Sequence, residues 1–172
     1  DDTIWVGTGK DGIYRSTDGG KTFNRSDAGI EDRNITSIKA YTTPDKDVGL
    51  YATAWRNALY HSDDEGRSWN KSSNGLSTDE QADAPDFMES HFKDIAVSRS
   101  MVILSGFDGL FISNNYGRSW RQAETWSIGT ISMLAVSPIL EQGRHSAILA
   151  YSGGAYLIPD AFTDNWVHQA RS

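Results

Sequence analysis

The 172-residue chain contains no cysteine and no long apolar run, and it has fewer basic than acidic residues. The absence of cysteine excludes disulfides, thiolate catalysis, cysteine-ligated zinc and iron–sulfur clusters. No stretch approaches the roughly 18 apolar residues of a membrane helix, so we predict no direct membrane insertion. Lys and Arg number 16 against 23 Asp and Glu, which gives a formal net charge of −7. This balance argues against nucleic-acid binding, because that function needs a basic face.

An internal repeat takes up most of the sequence. Residues 12–23 read GIYRSTDGGKTF, residues 58–69 read ALYHSDDEGRSW, and residues 109–120 read GLFISNNYGRSW. The copies lie about 50 residues apart, which is the size of a propeller blade. A fourth, decayed copy begins at Ala155 and keeps Asp160.

Short runs of β-branched and aromatic residues surround each copy, and Gly, Asn, Asp and Ser lie at the ends of these runs. This composition is typical of β-strands. No segment shows a convincing helical period. The repeating unit is therefore four antiparallel strands, which we label A to D from the propeller axis outward. The predicted blades cover about residues 1–28, 29–76, 90–125 and 129–172 of a single segment. The first blade begins at strand B and lacks the inner strand A, and the last ends in a D strand at residues 165–172.

The repeat Ser-x-Asp-x-Gly-x-Ser/Thr-Trp resembles the Asp-box, also called the BNR repeat. It is similar to the repeats of sialidases, sortilin-type receptors, reducing-end xyloglucan hydrolases and photosystem II assembly factors. The resemblance covers nearly the whole chain and implies an all-β β-propeller of four four-stranded Asp-box blades, as part of a larger propeller. It does not define the function, because one architecture serves many activities.

The residues of the motif are predicted to be structural. Asp or Asn can accept backbone N–H groups in the turn, glycine can take a positive φ at the bend, and the final aromatic can pack between blades. The set is Ser16, Asp18, Gly20, Phe23, Ser62, Asp64, Gly66, Trp69, Ser113, Asn115, Gly117 and Trp120. Asp18 and Asp64 occupy the same position of successive blades, too far apart to form a catalytic pair.

Neither a cofactor nor a metal site is predicted. Residues 7–12 match the G-x-G-x-x-G pattern, but a strand follows them where a dinucleotide site needs a helix. The four histidines show no metal-ligand spacing.

The resemblance implies that function lies in the D-to-A and B-to-C loops, which share one end of the blades, or in the central channel. The long acidic insertion 74–91 carries Phe87 and Met88. Three interpretations are open: a disordered insertion, a lid that faces a partner or substrate, or a calcium ligand. Trp126 is either a contact for a partner or an inter-blade packing residue. Arg56 is a further interaction candidate in these loops.

Catalysis is the less favoured prediction. A sialidase-like site needs three arginines around a carboxylate, and the arginines of this chain lie mostly in strands and motif turns. A glycosidase needs two carboxylates, of which Asp11, Asp108 or Glu124 could supply one. The resemblance to assembly factors implies an arginine-rich patch. The arginines of this chain are scattered along the sequence, so no such patch is predicted.

We therefore predict a non-catalytic Asp-box propeller module for protein interaction or assembly. A fragment of a glycoside hydrolase or sialidase-like enzyme is the alternative, and a sensor or receptor ectodomain is a second one. The expected partner is a protein or further propeller blades, with carbohydrate as another candidate. The expected location is extracytoplasmic, either periplasmic or secreted.

Overall fold

The computed structural model describes residues 2–42, 48–55, 58–72, 74–76, 92–98, 100–106, 109–123, 131–136, 147–151 and 154–158. Every regular element in these ranges is a β-strand. Among the same residues, no helix has the length and apolar character needed to span a membrane. The chain divides into two compact units, Asp1–Ser73 with Ser77–Ser90, and Asn74–Leu76 with His91–Ser172.

Unit 1 contains two antiparallel sheets. Its strands are β1 (Ile4–Gly7), β2 (Ile13–Ser16), β3 (Asn24–Arg25), β4 (Ile35–Thr42), β5 (Val48–Ala54), β6 (Ala58–Ser62) and β7 (Asn70–Lys71). Sheet 1 has the order β1-β2-β3, and sheet 2 has the order β4-β5-β6-β7. Strands that follow one another along the chain are neighbours, as in the blades of a propeller.

Unit 2 also contains two antiparallel sheets. Its strands are β8 (Phe92–Ser98), β9 (Met101–Gly106), β10 (Gly109–Ser113), β11 (Arg121–Gln122), β12 (Ile131–Val136), β13 (Ala147–Tyr151) and β14 (Gly154–Ile158). Sheet 3 has the order β8-β9-β10-β11, and sheet 4 has the order β12-β13-β14. The outer strand that the sequence predicts for the last blade, at residues 165–172, lies outside the described residues.

The motif serine occupies the same register position in three sheets. The pairs are Ser16 with Ile4, Ser62 with Leu50, and Ser113 with Val102. Each pair joins the second and third strands of a blade, so the residues of the three blades can be compared position by position. Among the residues that the structure describes, sheet 1 has no counterpart of β4 or β8, which agrees with the prediction that the first blade lacks strand A.

The core of unit 1 lies between sheets 1 and 2. Ile13 of the first blade and Ile30, in the segment that follows this blade, form one buried cluster with Leu50, Ala52 and Trp69 of the second. The central strand β5 is buried at six of its seven positions, as expected for a short apolar strand covered on both faces. Packing in unit 1 therefore joins two motif copies through one shared apolar layer.

Candidate functional site

The first motif turn is held together by a serine and an aspartate. The hydroxyl of Ser16 donates to Oδ1 of Asp18 at 2.7 Å and accepts the N–H of Gly20 at 2.8 Å. Asp18 accepts the N–H of Thr22 at 2.9 Å and the Thr22 hydroxyl at 2.6 Å. Since both carboxylate oxygens are bonded inside the turn, Asp18 serves to form the turn.

The second and third turns repeat this network with one change of chemistry. Asp64 accepts the N–H of Ser68 at 2.9 Å and its hydroxyl at 2.6 Å. In the third turn, Oδ1 of Asn115 accepts the N–H of Ser119 at 3.0 Å, while its side-chain amide donates to the Ser119 hydroxyl at 2.8 Å. The turn therefore needs an oxygen acceptor at this position, and the negative charge is dispensable.

The bend of each turn uses left-handed backbone. The φ values are 89° for Gly20, 81° for Gly66 and 69° for Gly117. The positive φ predicted for these glycines is confirmed. Glu65 and Tyr116 precede two of them and also have positive φ, at 62° and 58°. A side chain in this region is uncommon, so the turn network holds these two residues against their own backbone preference.

Hydrogen bonding keeps the turn aspartates ionised. Donation from the side chain and then the N–H of Thr22 lowers the pKa of Asp18 from 3.8 to about 2. Burial acts to raise the pKa of Asp64, but donation from Ser68 outweighs burial and leaves this pKa lowered. A general acid near neutral pH needs a raised pKa, so neither carboxyl has the properties of one.

In unit 1, Trp69 of the second motif packs against the segment that leaves sheet 1. We call residues 26–30, which follow β3, the first exit segment. The backbone N–H of Trp69 donates to the carbonyl of Ala28 at 2.8 Å, and its indole N–H donates to the carbonyl of Ser26 at 2.8 Å. Trp69 is 3% exposed, which confirms its predicted burial between blades.

Two side-chain bonds and one glycine complete this contact between sheets 1 and 2. The Ser26 hydroxyl donates to the carbonyl of Gly66 at 2.5 Å, and the indole N–H of Trp5 donates to the carbonyl of Glu65 at 2.9 Å. Gly29 has a φ of 91°, and a Cβ there would overlap the carbonyl oxygen of Trp69. Glycine is therefore required where the exit segment passes over the outer strand.

The same contact recurs within unit 2. The second exit segment is residues 72–76, of which Asn74–Leu76 belong to this unit. The carbonyl of Asn74 accepts the N–H of Trp120 at 2.8 Å, and a Cβ on Gly75 would overlap the carbonyl oxygen of Trp120. Trp120 is 6% exposed, so its predicted burial is also confirmed.

The predicted burial of Phe23 is wrong. Phe23 stands at the position of Trp69 and Trp120 in the motif, yet it is 43% exposed. The physical reason is that burial at this position comes from the exit segment of a preceding blade. Among the described residues, no exit segment covers Phe23.

Three arginines line one groove at the junction of sheets 1 and 2, which we call the arginine groove. It is lined by Arg15, Thr17, Asn24, Arg25, Ser26, Asp27, Ala28 and Arg67. The sequence predicted scattered arginines, and the structure corrects this for Arg15, Arg25 and Arg67. The correction arises because Arg15 lies on β2, Arg25 on the adjacent β3, and Arg67 in the motif turn of the neighbouring blade.

The charge of the groove region is positive although the chain is acidic overall. Arg15 and Arg67 both contact Oε2 of Glu65, at 2.5 Å and 3.2 Å. Arg25 and Arg33 both contact Oδ2 of Asp27, at 3.2 Å each. Four guanidinium groups therefore share two carboxylates, which leaves an excess of positive charge.

Several hydrogen-bond donors of the groove remain available. Arg25 and Arg67 are exposed over 44% and 65% of their side chains. The Nε–H of Arg15, by contrast, is buried and has no acceptor within the described part of the chain, so the accessible donors are those of Arg25 and Arg67. The Tyr14 hydroxyl, which lies by Arg25, raises the pKa of that guanidinium, so the groove stays cationic at every physiological pH.

The loops at one end of sheets 1 and 2 lie together, as predicted. The N–H of Gly12 donates to the carbonyl of Arg33 at 3.0 Å, which joins a B-to-C loop to a D-to-A loop. Asp11 in this region is exposed. Asp27 is the nearest buried carboxylate, and the two arginines described above already engage it. Glu31 in the neighbouring D-to-A loop is also exposed, and Asp32 there is half-buried and accepts the N–H of Asn34 at 3.0 Å.

The remaining predicted site residues fall outside the residues that the structure describes. They are Arg56, Phe87, Met88, Asp108, Glu124 and Trp126. Within the described ranges, no group of three or more His, Asp or Glu side chains could hold a metal ion.

The exit segments and the arginine groove were not predicted, although the sequence carries a signal for the exit segments. Residues 26–30 read SDAGI and residues 72–76 read SSNGL, which share Ser-x-x-Gly-aliphatic. The pattern lies outside the motif and is only five residues long, so it stands out only when it is aligned on the outer strands. The groove leaves no such signal, since its arginines come from three separate elements.

The sheet order, the repeated turns and the register define the chain as blades of an Asp-box β-propeller. Residues 11–131 match the Sortilin-Vps10 family model, described as "Sortilin, neurotensin receptor 3". The match covers more than half of the chain, which therefore belongs to the Sortilin-Vps10 family. No curated protein sequence matches the chain.

Solved structures with a similar fold include three β-propellers. An ancestral GH74 enzyme has a TM-score of 0.60 and 14% identity over 91% of this chain and 21% of its own. YCF48 bound to D1 peptide has a TM-score of 0.49 and 15% identity, over 81% and 45% of the two chains. NanB with Optactamide has a TM-score of 0.47 and 14% identity, over 84% of this chain and 25% of its own. The chain thus spans about a fifth of the GH74 enzyme, and at this identity the likeness shows the fold alone.

Proposed function

We propose that this chain is a non-catalytic propeller module that binds a polypeptide partner, and that the arginine groove is a binding site for acidic side chains. The observation that carries the proposal is the excess of guanidinium groups over carboxylates at one surface of an acidic chain. Planar guanidinium groups bind carboxylates through paired hydrogen bonds, which gives both affinity and orientation.

The geometry of the groove suits an extended acidic segment. Arg25 lies on the outer strand β3, and Arg67 lies in the motif turn of the next blade, so the two exposed guanidinium groups flank the groove from different sheets. Asn24 and Thr17 add neutral polar groups to the lining. A partner strand that crosses the junction of the two blades could place carboxylates against both arginines.

The state of the carboxylates in the described residues supports a role without catalysis. Asp18 and Asp64 are bonded within their turns, and Asp27 is 7% exposed and paired with two arginines. Hydrolysis of a glycoside needs an acid and a base, or an acid and a nucleophile, on either side of one bond. Asp11 and Glu31 are exposed in adjacent loops, so their substitution is the test of this role.

A receptor ectodomain is the second candidate, and the family description favours it. The description of the matching family model names a receptor, neurotensin receptor 3. For this chain, a receptor role and an extracytoplasmic location remain proposals.

A binding assay with a synthetic hexaglutamate peptide tests the proposal on the intact chain. We expect saturable binding that weakens when NaCl rises from ~50 mM to ~500 mM, because salt screens exposed charges. Changing both Arg25→Ser and Arg67→Ser should weaken binding by about tenfold or more. Both side chains are largely exposed, so the melting temperature should change little.

Arg118→Ser is the matched control for this experiment. Arg118 occupies the position of Arg67 in the third motif but lies in unit 2, outside the groove. We expect the control to bind like the parent. Equal weakening in the control, or no weakening in the double variant, would contradict the assignment of the groove. Hydrolysis of β-glucan or sialoside substrates that depends on Asp11 or Glu31 would contradict the non-catalytic role.

A further inference from the structure

A carboxylate of the chain itself lies on the arginine groove. Oε2 of Glu65 contacts Nη2 of Arg15 at 2.5 Å and Nη2 of Arg67 at 3.2 Å. Both arginines line the groove, so a single oxygen of Glu65 serves two of its guanidinium groups. Glu65 thus makes the contact that the proposed function assigns to a carboxylate of the partner.

The second motif turn does not need this carboxylate. The position of Glu65 is held by Gly19 in the first turn and by Tyr116 in the third. The φ values are 72° for Gly19, 62° for Glu65 and 58° for Tyr116. The bonds that form the second turn run from Ser68 to Asp64 and do not involve the Glu65 side chain. Since glycine adopts a positive φ at lower cost, the glutamate side chain calls for a role outside the turn.

Glu65 and Asp27 differ in how firmly the structure encloses them. The Asp27 side chain is 6% exposed, and a Cβ on Gly12 would overlap its Oδ2. The Glu65 side chain is 37% exposed. An ion pair that solvent reaches contributes little to stability, because water competes for both partners. Glu65 is therefore the carboxylate of the groove region that a ligand can replace without disturbing the packing.

Arg15 is held in place by contacts that do not use the Glu65 carboxylate. Its guanidinium group lies over the ring of Trp5, 5.8 Å from the ring centroid. The indole N–H of Trp5 donates to the backbone carbonyl of Glu65 at 2.9 Å. This backbone contact remains when the Glu65 side chain moves away. A ligand that replaces the carboxylate therefore meets an oriented guanidinium group, which lowers the entropy cost of binding.

We propose, on the basis of the function proposed above for the arginine groove, that the Glu65 side chain is an internal competitor for this site. A carboxylate of an acidic partner segment displaces Glu65 from Arg15 and Arg67, and Glu65 turns into solvent. A ligand with one carboxylate gains little, because it only exchanges one carboxylate for another. A segment with several carboxylates also contacts the exposed Arg25 and therefore binds more tightly. Glu65 thus sets the affinity that a ligand must exceed.

Binding of the hexaglutamate peptide to a Glu65→Gln variant of the full chain tests this competition. Glutamine keeps the length of the side chain and removes its charge, so we expect the dissociation constant to fall at least about tenfold relative to the parent. Glu65→Gly, which reproduces the residue of the first turn, removes the side chain altogether and should bind at least as tightly. The ion pairs of Glu65 are partly exposed, so the melting temperatures should stay near that of the parent.

Asp63→Asn is the matched control. Asp63 is an exposed carboxylate two residues before Glu65 in the same motif turn, and its substitution removes the same charge. At ~150 mM NaCl, we expect this control to change the dissociation constant by less than about twofold, because salt screens an exposed charge. In an Arg67→Ser background, which removes one partner of Glu65, Glu65→Gln should raise the affinity by at most about threefold.

The outcomes separate this inference from the proposed function. Equal affinities of the parent, Glu65→Gln and Glu65→Gly would overturn the competitor role and leave the groove as a binding site. A gain in Asp63→Asn as large as that in Glu65→Gln would also overturn it, because the effect would then be one of overall charge. If no variant binds the peptide, both the competitor role and the proposed function are wrong.

Discussion

Phe23 and Trp69 hold the same position in the same motif and lie in opposite environments. Phe23 is 43% exposed and Trp69 is 3% exposed. The turns that precede them are nearly identical, since Asp18 and Asp64 each bind the following Thr or Ser at 2.9 Å and 2.6 Å. The difference comes from outside the motif, because only Trp69 receives an exit segment. One repeat therefore specifies its own hairpin, and two repeats together specify the buried interface.

The largest expected effect is the difference in stability between alanine variants of these two aromatic residues. Trp69→Ala should lower the free energy of unfolding by about 3–5 kcal/mol, because it removes a buried indole and its contacts. Phe23→Ala should cost less than about 1 kcal/mol, because the side chain is already partly exposed. Urea unfolding of both variants measures the difference. Equal losses would show that the motif position itself, and not the exit segment, determines the contribution.

A second prediction concerns the glycine that allows the exit segment to approach. Gly29→Ala should cost about 1–3 kcal/mol, because the new Cβ meets the Trp69 carbonyl at a positive φ. Gly9→Ala is the control, since its Cβ would lie 3.9 Å from the nearest side-chain atom, Oδ1 of Asn34. We expect the control to stay within ~0.5 kcal/mol of the parent in the same urea titration. A larger loss in the control would show that the cost is a general effect of replacing glycine.

The smallest expected effect compares a charged turn with a neutral one. The folded-state pKa of Asp18 is about 2, below the ordinary value of 3.8, so its stabilisation is complete above pH ~4 and is lost as the pH falls through about 2. Asn115 cannot titrate. The protection of the Thr22 amide against hydrogen exchange should therefore decrease between pH ~4 and ~2. The protection of the Ser119 amide, which donates to Asn115, should stay constant over the same pH range.

Asp18→Asn is the matched variant for this pH experiment. It should retain the turn, as Asn115 does, and remove the acid-dependent loss at Thr22. NMR measurements of amide exchange at each pH follow both turns in one sample. Protection that falls equally at Thr22 and Ser119 would point to unfolding of the whole chain instead of titration of one turn.

Much of the fold could be predicted from the sequence, because its determinants are local. The spacing of Ser16, Asp18 and Gly20 is that of a hydrogen-bonded turn, and every bond of this turn joins residues at most four apart. The absence of the inner strand from the first blade followed from counting strands before each motif copy. Local patterns of this kind are visible in a single sequence.

The surfaces could not be predicted, because they depend on distant residues. Trp69 bonds to Ser26, and Arg15 contacts Glu65 across a similar separation. The burial of Phe23 was predicted from its motif position alone. This prediction is wrong, because a residue at this position is buried only where another blade covers it. Asp108, Glu124 and Trp126 lie outside the described residues, so their predicted roles stay predictions.

The short span of the motif turns has a consequence for how the chain folds. A loop that closes over a few residues loses little chain entropy and forms quickly, whereas a contact between residues some 40 positions apart forms late. We therefore expect the three hairpins at Ser16, Ser62 and Ser113 to appear first as independent nuclei, with docking of the tryptophans as the slower step. The folding rate of such a chain is then governed by assembly between neighbouring repeats, and adding repeats lengthens the process without changing its elementary step.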